Sequence, residues 1–109
     1  MNKNLVTEGK KFINNNNIIG IQEHYGYMKD LNQTNDYKIS ADYIFSQLFT
    51  HACLKTNKEI IIFLIRIYFE IFDDVTRIAM KHSFVYAKYI IKNKKLLDWY
   101  DKHIIPLIK

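Results

Sequence analysis

The sequence predicts an all-α protein, either a small helical bundle or stacked helical hairpins, with about five to six helices. Three observations carry this. Three glycines and one proline in 109 residues leave too few turn-formers for a β-meander, which needs turn chemistry every ~8–12 residues. Apolar residues recur at i, i+3 and i+4 along most of the chain, the period of a helix face. A hydrophobic fraction of 49% and an aromatic fraction of 15% supply enough apolar surface for a core, so wholesale disorder is not expected. At this length the core belongs to one domain, residues 1–109.

The elements follow in order. Leu5, Phe12 and Ile13, then Ile18, Ile21, Tyr25 and Met28, predict a first helical pair over 5–28. The run Asn14–Asn17 separates its members, and Asn16 or Asn17 is placed to accept from the free backbone N–H groups of the second helix. Gly20 and Gly26 weaken that helix, each costing an interior position ~1 kcal/mol relative to alanine. Residues 29–39 are polar, with Asn32, Asn35 and Asp36 close together, and read as the longest loop. Ser40 is a candidate cap for a helix through Tyr43, Ile44, Leu48, Ala52 and Cys53, which ends at Lys55-Thr56-Asn57. Asp73 and Asp74 suit the positive end of the next helix. Residues 75–93 read as one helix or two, Ser83 favouring a break near His82. A last helix through Leu96, Leu97, Trp99, Tyr100, His103 and Ile104 stops at Pro106.

The segment Lys58–Phe72 is the strongest helix. At 100° per residue Glu59, Arg66, Glu70 and Asp73 form one polar stripe about 60° wide, and every other face is apolar. Ile62 and Phe63 flank the stripe itself. The segment is read as the central helix, and where its neighbours leave it bare a partner chain must cover it. Ile62, Phe63, Arg66 and Glu70 are therefore the candidate protein interface, with self-association the expected outcome.

Charge is unevenly spread. Residues 1–74 carry eight Lys/Arg and nine Asp/Glu, a net −1; residues 75–109 carry eight Lys/Arg and two Asp, a net +6. Lys81, Lys88, Lys92 and Lys95 follow helical spacing, Lys102 lies close by, and Tyr86, Tyr89, Trp99 and Tyr100 interleave. Such a face would attract phosphates and stack on bases, or meet an acidic protein. The bland reading is that the lysines solvate an outer face while the aromatics fill the core.

Catalytic and metal chemistry is not expected. The sequence holds no phosphate-cradling glycine loop, paired-cysteine knuckle or nucleophile elbow. His24, His51, His82 and His103 are scattered, with no pair at i and i+4. His51 and Cys53, two apart on a helix, do not face each other. Cys53, among Leu48, Ala52 and Leu54, reads as a buried small hydrophobe. No cofactor and no small-molecule substrate are expected. The first residues lack the apolar core of a secretory leader, and Ile60–Phe72, broken by Arg66 and Glu70, is too short and charged for a span of ~20 residues. An intracellular protein, with no membrane contact, is the expectation.

Two segments overlay at an offset of 27, Ala52 on Ala79 and Leu64 on Ile91. The first, Ala52-Cys53-Leu54-Lys55-Thr56-Asn57-Lys58-Glu59-Ile60-Ile61-Ile62-Phe63-Leu64-Ile65, resembles the helix–turn–helix core of an ankyrin repeat. It is most similar to the divergent repeats of large DNA viruses with AT-rich genomes. Ala52, Glu59, Ile60, Ile61 and Leu64 fit the pattern. The inter-helix glycine is replaced by Thr56, no Thr-Pro-Leu-His turn precedes, Lys88 stands at an apolar position of the second copy, and the spacing falls short of ~33 residues. The resemblance implies stacked, solenoid-like hairpins and a binding role, such as a host-directed adaptor. The leading expectation is thus a non-enzymatic protein–protein interaction module that self-associates, with a nucleic-acid binder using the basic C-terminal third as the alternative.

Overall fold

The computed structural model describes residues 2–34, 40–55 and 57–108, and its elements are α1 (Asn2–Asn14), α2 (Ile18–Thr34), α3 (Ser40–Leu54), α4 (Lys58–Ile71), α5 (Asp74–Ile90), α6 (Lys94–His103) and the one-turn α7 (Ile105–Ile108). Among the described residues there is no strand. The fold is all-α, as the periodicity predicts.

Short polar side chains set the helix starts. Asn17 Oδ1 accepts from Gly20 N at 2.9 Å, Asn57 Oδ1 from Ile60 N at 3.1 Å, Asp73 Oδ1 from Thr76 N at 2.8 Å and Asn93 Oδ1 from Leu96 N at 3.1 Å. Each satisfies an N–H that the helix cannot, worth ~1 kcal/mol. Asn16, in the turn before α2, has φ 53°, a left-handed conformation that asparagine tolerates better than most residues. The asparagine run also ties elements together. Asn14 Oδ1 and His51 Nε2 are hydrogen-bonded at 2.7 Å, and Asn57 Nδ2 donates to Asn16 Oδ1, so the α1–α2 turn is fastened to the α3–α4 turn.

Several boundaries differ from the sequence reading. α2 continues to Thr34, so residues 29–34 of the expected loop are helical; residues 35–39 and Thr56 lie outside the described residues. Turn-rich composition lowers helix propensity but does not forbid a helix, and Gly26 keeps a negative φ. Ser40 begins α3, and what its side chain does lies outside the described residues. α5 runs unbroken through His82 and Ser83. Ser83 does not cap; its Oγ lies 3.2 Å from Ser46 Oγ on α3, a contact between helices. The turn after α3 therefore has no counterpart at the 27-residue offset, where residues 82–84 are helical. Pro106 sits inside α7, whose first turn does not need its N–H.

The centre of the molecule is α3 rather than α4. It lies against α1, α2, α4 and α5 and buries Ile44, Phe45, Leu48, Phe49, Ala52 and Cys53. α4 contributes Ile60, Ile61, Leu64, Ile65, Ile67 and Tyr68 from one broad side, leaving Ile62, Arg66, Phe69 and Glu70 exposed. Where α3, α4 and α5 meet, aromatic rings interlock: Phe84 stands edge-on to Tyr68 at 4.6 Å and to Phe49 at 4.8 Å, and Phe45 packs beside all three. Such edge-on pairs add ~0.5–1.5 kcal/mol beyond area burial.

α1 approaches α3 closely at Gly9, where an added Cβ would lie 2.5 and 2.8 Å from the two δ-carbons of buried Leu48. Gly26 has open space around it. Helix propensity alone favours alanine at both, so the two sites separate. Gly26→Ala is expected to raise the denaturation free energy by ~0.5–1 kcal/mol, and Gly9→Ala to lower it by ~1–3 kcal/mol through overpacking. Denaturant midpoints check this; a gain at both sites would mean that α1 does not sit this close to α3.

Candidate interaction surfaces

α5 turns one side to the core and leaves the other bare. Met80, Phe84 and Ala87 are buried. Two tyrosine hydroxyls reach its backbone from neighbouring helices, Tyr100 donating to the Phe84 carbonyl at 2.7 Å and Tyr68 to the Arg77 carbonyl at 2.8 Å. Burial raises both phenols above their ordinary pKa, and the Asp101 charge adds to the effect at Tyr100, so both stay protonated donors. Arg77 closes the α4–α5 turn, with its guanidinium donating to the Phe72 carbonyl, pairing with Asp74 and lying 5.5 Å from the Phe69 ring centroid. The rotation of α5 about its axis is fixed by these contacts.

The opposite side carries Val75, Ile78, His82, Val85 and Tyr89, spaced 3, 4, 3 and 4 residues apart, with Ala79 and Tyr86 along one border. At 100° per residue all seven fall within about 120° of the helix. The five large apolar members are 50–81% exposed. Alternating three- and four-residue spacing is that of a helix seam packed against a second helix. His82 at its middle turns Nδ1 back onto its own helix, 2.9 Å from the Ala79 carbonyl. Beside the middle of the stripe a groove of about 430 Å³ opens between α3 and α5, lined by Asp42, Tyr43, Ser46, Ala79, Met80, His82 and Ser83, with Tyr43 half exposed. Sequence reading took Tyr86 and Tyr89 as companions of the lysines and missed this stripe, although its spacing was there to be counted.

The interface expected on α4 is partly covered by the chain itself. Phe63 is half-buried, its ring centroid 6.2 Å from that of Tyr25 on α2. The Tyr25 hydroxyl donates to a Glu70 carboxylate oxygen at 2.6 Å, and burial together with that carboxylate raises the phenol pKa. Phe63, Arg66 and Glu70 thus line a small groove between α2 and α4 with Gln22 and Tyr25, while Ile62 points outward, 41% exposed.

The basic residues divide between two helices. Lys81 and Lys88 are on α5, where Lys81 is half-buried and Lys88 pairs with Asp101 at 2.7 Å. Lys92 follows the end of α5, and Lys95 and Lys102 lie on α6, all three exposed. Because Asn93 starts a new helix, the spacing that aligned Lys95 with Lys81, Lys88 and Lys92 does not carry across. Lys95 instead shares an open depression with Lys55, Lys58, Asn16, Asn57 and Asn93, with Glu59 at its wall. Lys58 Nζ lies 5.4 Å from the Trp99 ring centroid. Lys55 and Lys58 come from residues 1–74, the part of the sequence without net positive charge, which is why counting charge along the chain did not find them.

Of the reactive groups, Cys53 is buried and its thiol is pushed up to about 12 by desolvation, which makes it a packing residue rather than a nucleophile. His24 is buried against the edge of Phe12, ring centroids 6.0 Å apart. Among the described residues no three His, Cys, Asp or Glu side chains gather as a metal site, and no helix is long and apolar enough to cross a membrane. Comparison with family models, curated proteins and solved structures returns no match for this chain.

The cationic surroundings reach His51. Desolvation, followed by Lys10 and Lys55, holds its pKa below the ordinary 6.5. The unfolded chain therefore binds more protons than the folded one below pH ~6.5, so stability is fully present above that value and declines as pH falls toward the folded pKa. Denaturation midpoints measured from pH ~7 to ~5.5 should fall, and His51→Gln should make the decline shallower. Parallel declines would mean that His51 titrates normally.

Proposed function

We propose that this chain is a non-enzymatic protein–protein interaction module that docks through the outer face of α5. The observation that carries the reading is the stripe Val75, Ile78, His82, Val85 and Tyr89, a three–four repeat on a side of the helix that the fold does not use. Size alone does not single it out. A 17-residue helix is ~25 Å long, and a stripe of that length is comparable with the largest apolar patch of many monomers. Its order does: scattered exposed hydrophobics need no explanation, but five positions in seam register on one fixed helix do. Fully burying side chains of this kind yields ~1.5–3 kcal/mol each, enough in sum to offset part of the cost of association. The Ile62 corner of α4 is a smaller, secondary surface, since Phe63 is half covered by Tyr25.

A nucleic-acid reading draws on the depression holding Lys55, Lys58 and Lys95 beside Trp99. Among the described residues only Trp99 accompanies those lysines, and Lys58 already lies against it, so stacking surface for bases is limited there. The exposed tyrosines, Tyr86 and Tyr89, belong to the α5 face instead.

Two variants separate the readings. Ile78→Asp with Val85→Asp should leave the unfolding free energy of the dilute protein nearly unchanged, within ~0.5 kcal/mol, while abolishing the protein's assemblies in light scattering. Lys58→Glu with Lys95→Glu should keep those assemblies, and a short labelled duplex should bind neither protein at moderate salt. Salt-sensitive duplex binding that the lysine variant loses would move the function to nucleic acid.

A further inference from the structure

We infer that the occupant of the α5 face is a second copy of this chain, seated so that the two α5 helices run antiparallel across a two-fold axis near His82. This rests on the reading of α5 as a docking face and adds the identity and direction of the partner. Three features point to it. The stripe is balanced about its middle: Val75 and Ile78 lie seven and four residues before His82, Val85 and Tyr89 three and seven after it. An antiparallel copy sets the small Val75 end against the large Tyr89 end, so volumes interleave, as an isologous contact requires.

The charges are arranged the same way. At the start of α5 Asp73 caps the helix and Asp74, its carboxylate 87% exposed, pairs with Arg77, leaving a net negative end; at the other end Lys88 pairs with Asp101 and exposed Lys92 leaves a net positive one. Antiparallel seating brings each acidic start beside a basic end and opposes the helix dipoles; parallel seating would set like against like. Exposed pairs of this sort add little affinity but choose the orientation.

The groove between α3 and α5 supplies the third feature. It opens beside His82, next to Ala79, and half-exposed Tyr43 lies on its wall. An aromatic side chain of the second copy, Tyr86 foremost, has a recess there to enter. One helix face ~25 Å long, with Tyr43 beside it, is a small contact next to the ~800 Å² per partner that specific interfaces bury, so the dimer dissociates on dilution.

Light scattering on the concentrated and diluted 109-residue chain should show a dimer mass falling to a monomer mass, and Tyr89→Asp should be monomeric throughout with its helical signal intact. Because Cys53 is buried, single introduced cysteines can report direction. Val75→Cys mixed with Tyr89→Cys should be joined by a short bis-maleimide. Val75→Cys alone should not, its counterpart lying about 21 Å away along the paired helices. Self-joining of Val75→Cys without joining in the mixture overturns the antiparallel seat. A dimer that Tyr89→Asp leaves whole, or a monomer at every concentration, overturns the second copy as occupant. In the latter case the melt of Ile78→Asp decides whether the docking reading falls too. An unchanged melt leaves a bare face for a different protein, and a much lower one shows that Ile78 belongs to the core.

Discussion

A helix on the outside of a bundle can usually roll by a few tens of degrees without losing much apolar burial, and α5 is denied that freedom. Phe84 is wedged edge-on between Tyr68 and Phe49, so rolling α5 would pull an aromatic ring out of a pocket closed on two sides. The hydroxyls of Tyr68 and Tyr100 are buried groups that must be satisfied, and both find their acceptors on the α5 backbone. Losing either would leave a desolvated donor at ~1–3 kcal/mol. Two separate penalties therefore fix one rotation, and that rotation points Val75, Ile78, Val85, Tyr86 and Tyr89 at solvent.

The same constraint explains what the sequence made legible and what it did not. The all-α class, the α4 helix with its polar stripe, the capping aspartate and the buried cysteine follow from local rules: period, caps and composition. The setting of α5 is a tertiary choice. From the sequence its two apolar sides, one through Met80, Phe84 and Ala87 and one through Val75, Ile78, Val85 and Tyr89, compete for the core. The presence of Ser83 and His82 on the chain between them suggested a break instead. Only the ring contacts and the tyrosine hydroxyls decide which side goes in. α4 differs from the sequence reading in its place rather than its surface: α3 takes the centre, and most apolar residues of α4 pack on α3 and α2, with Phe63 meeting Tyr25, while Ile62 and Phe69 stay exposed.

Asparagine does more here than fill a biased composition. Asn17, Asn57 and Asn93 each cap a helix, and Asn14 and Asn16 bind the first turn to His51 and Asn57. Because Asn16, Asn57 and Asn93 meet near Lys55, Lys58 and Lys95, one end of the molecule is cationic and polar, while the α5 face is apolar. That division lets a partner cover the apolar stripe of α5 without drawing on Lys55, Lys58 and Lys95. It also gives a physical reason to expect binding through α5 to be tolerant of salt, since its core is apolar and charge contributes chiefly to direction.

The central claim is that the outer side of α5 is held bare by the fold and covered by a second copy of the chain. Hydrogen–deuterium exchange on concentrated and dilute protein tests this most directly, because it reads each helix separately. The account predicts slower exchange on concentration in peptides spanning 74–90, with smaller slowing at the start of α3 near Tyr43 and none in α1 or α6. Exchange in α5 that is indifferent to concentration, or slowing confined to α4 around Ile62, would contradict it.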